Sequence, residues 1–179
     1  MTPAREVLLR QWDTARALLD HHLTDLTTEE CLWRPAPVGL HLTREASGAW
    51  HGEWPTHEGY DLGPPSIGWT SWHLGLWLTL ALDHTHSDAR PTKDDVTWPG
   101  SGPDAARWIA DLAHRWRADA EALPVEDWSS TERVRWPFAD RSFAHLFAWS
   151  VVELTKNAAE IGQGRFLYAA SRPQPASPA

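Results

Sequence analysis

Four stretches of this chain place apolar residues three or four positions apart, and each is bounded by residues that start or stop helices. Such spacing puts the apolar side chains on one face of an α-helix, and that face must be buried against another element. The first stretch runs from about Pro3 to Leu23, with Leu8, Trp12, Ala15 and Leu19 in line and Pro3 suited to a first turn. The second runs from about Ser66 to His84. Pro64 and Pro65 end whatever precedes it, Ser66 suits an N-cap, and Trp69, Trp72 or His73, Leu76, Trp77 and Leu80 form the stripe. The third, from about Gly102 to Leu123, carries Trp108, Ile109, Leu112, Trp116 and Leu123. Ser101 and Asp104 are spaced as a capping box, Pro103 fits the start and Pro124 the end. The fourth, from about Ser142 to Ala170, aligns Phe143, Phe147, Ser150, Leu154, Ile161 and Arg165, with Ala158 beside them. Four long helices whose stripes can share one core predict an all-α four-helix bundle in a single domain over residues 1–170, followed by a flexible tail over 171–179.

The connection between the first two helices, about Thr24 to Pro65, is long for a compact domain. Thr27 and Glu30 are spaced as a capping box for a short helical turn over Thr28–Leu32. Beyond it come scattered prolines and glycines together with Trp33, Trp50, Trp54, His41, His51 and His57. That content predicts a loop packed over one end of the bundle. A shorter irregular connection spans Trp128–Arg141.

Composition narrows the partners. The net charge is −8 and the 16 Lys and Arg residues form no block, which argues against nucleic acid or an anionic membrane. No apolar run reaches the roughly 18 residues of a membrane span, and the N-terminal MTPAREVLLRQW lacks the apolar core of a signal peptide. With one cysteine, Cys31, the chain can form neither an internal disulfide nor a thiolate zinc cluster, so a cytoplasmic location is expected. Thirteen tryptophans point to a thick core, a cavity wall or both.

The polar residues on these helices hold the candidate chemistry. His73 sits among Trp69, Leu76, Trp77 and Leu80 and points inward. Its simplest role is that of a buried imidazole with one hydrogen-bond partner; the sharper role is that of a metal ligand. On the last helix Glu153, Asn157 and Glu160 fall at i, i+4 and i+7, so Glu153 and Asn157 could grip one ion, or Glu153 could pair with a nearby Lys or Arg. The run DHTHSD at Asp83–Asp88 and the pair His21–His22 read as polar helix ends. No Gly-rich phosphate loop and no nucleophile triad can be identified.

PPSIGWTSWHLGLWLTLALDH followed by WPG resembles the second helix and next loop of the DinB/YfiT-like superfamily of bacterial four-helix bundles. VELTKNAAEIGQGRFLYAA is similar to that superfamily's last helix, and LTTEECLWRP to the turn after its first, so the likeness spans about residues 5–170. The resemblance implies one divalent metal, zinc or nickel, held by a His of the second helix and two residues of the last helix at i and i+4. These fall on His73, Glu153 and Asn157, where Asn157 replaces the usual His. An amide oxygen is the weaker donor, so such a set would hold a transition metal less tightly unless Glu160, His41 or His51 compensated. The resemblance also implies a small-molecule partner, such as a low-molecular-weight thiol, with transferase, isomerase or hydrolase chemistry, and a homodimer. Trp69, Trp72, Trp77 and the loop tryptophans would then wall the pocket, and Glu160 would stand beside the ligands or act as a base. The alternative is a non-catalytic or stress-response bundle that binds a small ligand in the same cavity, its metal site vestigial.

Overall fold

The computed structural model describes residues 3–57, 59–88 and 90–172. It is an all-α bundle of α1 (Pro3–Leu23), α2 (Thr28–Leu32), α3 (Ile67–His86), α4 (Gly102–Ala122) and α5 (Phe143–Ser171). Residues 173–179 of the expected tail lie outside the described residues. α1 packs on α5 and α4, and α3 packs on α4 and α5. Among the described residues no helix is long and apolar enough to cross a membrane.

The caps fall where the sequence puts them. Ser66, Ser101 and Ser142 each accept a hydrogen bond from the backbone N–H three residues on. Thr27 and Glu30 form the reciprocal box of α2: the Glu30 N–H donates to Thr27 Oγ1 at 3.2 Å, and the Thr27 N–H to Glu30 Oε2 at 2.8 Å. Ser101 and Asp104 form only half of theirs, because the Asp104 carboxylate takes the Ser101 hydroxyl instead of a backbone donor.

α3 differs from the one-faced helix that its stripe suggests. Fifteen of its 20 residues are buried, so it is covered on nearly every side. Gly75 lets the Trp108 ring of α4 lie against the α3 backbone, in the space a Cβ would fill. On another side lies the long connection, which is not irregular throughout. Leu42–Arg44 (β1) pairs antiparallel with Trp50–Gly52 (β2), with Leu42 opposite Gly52. Trp98 extends this ribbon by an N–H bond to the Trp50 carbonyl at 2.7 Å. Strands of three residues are too short to show a period-2 pattern, so the sequence carries no signal of them. The ribbon is fastened by indoles. Trp69 Nε1 donates to the Glu53 carbonyl at 2.7 Å and Trp72 Nε1 to the Val96 carbonyl at 2.9 Å, while Gly52 leaves room for the Trp72 ring.

One cation ties the far end together. Arg165 of α5 pairs with Glu30 Oε1 at 2.9 Å and donates to the carbonyls of His22 and Thr24 at 3.0 and 2.7 Å. Carbonyls at the end of α1 have no acceptor role within the helix, so an outside donor satisfies them. Glu30 therefore caps α2 with one oxygen and anchors α5 with the other. Replacing Arg165 with Met should cost about 2–3 kcal/mol, since it strands a largely buried carboxylate and frees two carbonyls; a urea melt of the variant against wild type measures it.

Candidate functional site

α3 and α5 lie side by side in opposite directions, with His73 meeting Asn157 and, further along, Trp77 meeting Trp149. The polar contacts at the first meeting point have a fixed direction. Asn157 is fully buried. One end of its amide faces the backbone carbonyl of Glu153 at 2.8 Å, and a carbonyl can only accept, so that end is Nδ2. The same nitrogen leans toward Glu153 Oε2 at 3.4 Å. The other end, Oδ1, stands 3.1 Å from His73 Nδ1. Oδ1 accepts, so Nδ1 carries the proton and the lone pair of the neutral ring is on Nε2. Trp69 stacks on the imidazole with ring centroids 4.9 Å apart and planes 9° apart, and Trp54 covers it at 6.1 Å. Burial pushes the His73 pKa below the ordinary histidine value; the bond to Asn157 opposes this without reversing it. The ring is therefore neutral at pH 7.

His73 stands at one end of a cleft of about 690 Å³ between α3, α5 and the α3–α4 connection. α3 supplies His73, Leu76, Trp77, Leu80 and His84, one face over three turns. α5 supplies Trp149, Glu153 and Lys156. The aromatic wall is packed edge to face: Trp77 lies 5.4 Å from Trp149, and Trp149 lies 5.8 Å from Trp136. Arg90, Pro91, Thr92 and Lys93 close one side, and Trp54 reaches in from the long connection.

The expected site residues divide as follows. His73, Glu153 and Asn157 are brought together, and Trp77 lines the cleft. Trp69 stacks on His73, outside the cleft lining, and the buried Trp72 edges a second cleft of about 260 Å³ beside Glu45 and His51. Glu160 binds Lys156 at 3.0 Å and does not line the cleft. Neither His41 nor His51 lines it: His51 Nε2 lies 3.4 Å from Glu45, and His41 is buried beside Pro64. His84, which the sequence places at a polar helix end, lines the cleft, and its Nε2–H donates to the Pro91 carbonyl at 3.1 Å. Its spacing from His73, Trp77 and Leu80 carried that signal. Trp149, one turn before Glu153, carried the same one.

The sequence pattern of the DinB superfamily matches residues 11–161. The chain belongs to the DinB superfamily. Among curated proteins and among solved structures, none matches it. As donors for a transition metal the three residues fit poorly. Asn157 has both ends of its amide engaged, which leaves the set with two donors, His73 Nε2 and the Glu153 carboxylate. Among the described residues no group of three His, Cys, Asp or Glu is placed to hold an ion. Two polar groups from this cluster face the cleft, His73 and the Glu153 carboxylate.

Nitrogen-detected NMR of His73 should show the Nδ1–H tautomer at neutral pH, and Asn157→Ala should release it toward Nε2–H. The lowered pKa also has a stability consequence. Between about pH 6.5 and the folded pKa, the unfolded chain takes up a proton that the folded chain refuses. The contribution is complete above that window and is lost as pH falls through it. His73→Gln should therefore lose stability less steeply with acid than wild type, as read from denaturant midpoints across pH 7 to 5.

Proposed function

We propose that this DinB-superfamily protein binds a small molecule in the aromatic cleft and engages it through the neutral imidazole of His73, without a resident metal. The observation that carries this reading is the directed chain from the Glu153 carbonyl through Asn157 to His73 Nδ1. The chain fixes the ring in one tautomer and reserves the Nε2 lone pair. A lone pair at the edge of an apolar cleft accepts a hydrogen bond from an O–H, N–H or S–H of the ligand. A neutral imidazole also takes up a proton as a general base. The remaining wall, aromatic and aliphatic, gives affinity, and the few polar groups set orientation. A low-molecular-weight thiol suits such a site as well as an alcohol does, since either offers the proton that Nε2 lacks.

A second reading keeps the metal. His73 and the Glu153 carboxylate line the same cleft, which favours a divalent ion with two protein ligands and an open position for a thiolate or water. Elemental analysis with zinc and nickel titration of chelator-treated protein separates the two readings. The metal-free reading expects no stoichiometric uptake by wild type. It also expects Asn157→His, which restores a second imidazole, to bind zinc at least about 10-fold more tightly than wild type. Stoichiometric wild-type uptake that His73→Ala abolishes would overturn the first reading in favour of the second.

A further inference from the structure

We infer that the ligand of the aromatic cleft carries two neighbouring hydroxyl groups on an aromatic body, the class of aryl 1,2-diols. This rests on the small-molecule reading above and adds a second point of recognition, the Glu153 carboxylate. The cluster that fixes His73 has committed all its donors. His73 Nδ1–H goes to Asn157 Oδ1 at 3.1 Å. The Asn157 amide nitrogen has one proton for the Glu153 carbonyl at 2.8 Å and leans with the other toward Glu153 Oε2 at 3.4 Å. Two acceptors are left over, His73 Nε2 and the second oxygen of the Glu153 carboxylate. Neither has a hydrogen-bond partner among the described residues, and neither is sealed from solvent. Both residues line the same cleft. On their buried side a single amide joins them, so the groups that serve them belong on neighbouring atoms of one ligand.

The ion pair open to Glu153 from its place in the sequence does not form among the described residues. Lys156, one turn on, gives its ammonium to Glu160 at 3.0 Å, and Lys93 across the cleft gives its own to Asp94 at 2.6 Å. Two acceptors without partners ask for two donors. A simple alcohol or thiol brings one. An ionised carboxylate brings none and sets a like charge against Glu153. A primary amide brings two with a carbonyl for which the cluster has no donor left. Two hydroxyls on adjacent carbons bring one donor to each acceptor, and the bond to the carboxylate is the stronger because its acceptor is charged. An ammonium group also brings several donors, but it carries its charge into the cleft beside Lys156, and its desolvation costs more than that of two hydroxyls. The walls favour a flat body. Trp54 stands 6.1 Å from the His73 ring, and beyond it the Trp77–Trp149 pair offers further faces and edges for a ring to pack on. A ring also holds both hydroxyls at a fixed separation, so little internal freedom is lost on binding.

The probes are 4-ethylcatechol, 4-ethylphenol and 4-ethyl-1,2-dimethoxybenzene, which share a body and bring two donors, one and none; 4-ethylbenzylamine brings an ammonium head. Calorimetric titration into the chelator-treated full chain at pH 7, under nitrogen, should rank catechol above phenol above the dimethoxy compound. The catechol should be favoured over the phenol by roughly 10-fold. In Glu153→Leu, checked for folding by circular dichroism, the catechol-to-phenol ratio should fall to within about 2-fold. A phenol that binds as well as the catechol would overturn the diol assignment and leave the single contact to His73 standing. So would an amine that binds more tightly than the catechol, since the two acceptors would then serve an ammonium group. A catechol preference that survives in Glu153→Leu would overturn it as well, because the second hydroxyl would be read elsewhere. A dimethoxy compound that binds as well as the phenol would take the acceptor role from His73, and both readings would fall. If none of the four binds at millimolar concentration, the small-molecule reading falls and this inference with it.

Discussion

A ring nitrogen inside a helix that is covered on nearly every side must find a partner, and the partner of His73 is chosen by a backbone carbonyl one helix away. The Glu153 carbonyl can only accept. That single restriction orients the Asn157 amide, the amide places the proton on His73 Nδ1, and the proton leaves Nε2 as the free acceptor. An imidazole at position 157 could turn either nitrogen to its neighbour and would leave the tautomer of His73 open. The amide has no such freedom once its nitrogen is committed. Asn157 is thus a link in a complete hydrogen-bond chain and not an orphaned polar atom.

The cleft has its shape because α3 is crowded elsewhere. Trp108 of α4 lies against Gly75 on one side, and the β1–β2 ribbon covers Trp72 on another. The face running from His73 to His84 is the one shared with α5, and there the bulky Trp77 and Trp149 meet edge to face. At the other end of α5 the Arg165 clamp ties α1, α2 and α5 together.

The helices were legible in the sequence because their signals are local. Proline, serine and threonine at the right positions mark the starts, and the observed ends of α1, α3, α4 and α5 fall within two residues of the expected ones. The ribbon was not legible, because Leu42–Arg44 and Trp50–Gly52 owe their pairing to the surface of α3 and not to any period of their own. The site shows the same division. His73, Trp77, Glu153 and Asn157 sit on faces that helical spacing defines, so their convergence could be anticipated. Trp54, Arg90, Lys93 and Trp136 arrive from connections, where spacing predicts nothing about distance in space. On a helix buried all round, pointing inward does not say into which space, which is why Trp69 and Trp72 fasten the ribbon instead of walling the main cleft. His84 has polar neighbours in sequence at its helix end, but its register with His73 carries it into the cleft.

The row of indoles along the cleft has an optical consequence. Trp77, Trp149 and Trp136 hold their rings at 61° and 77° to one another at close range, so their near-ultraviolet transitions couple. Such coupling depends on mutual orientation, and a guest seated among the rings would alter the rotational strength of the whole set. The chain thereby carries its own chiroptical register of whether the space is filled.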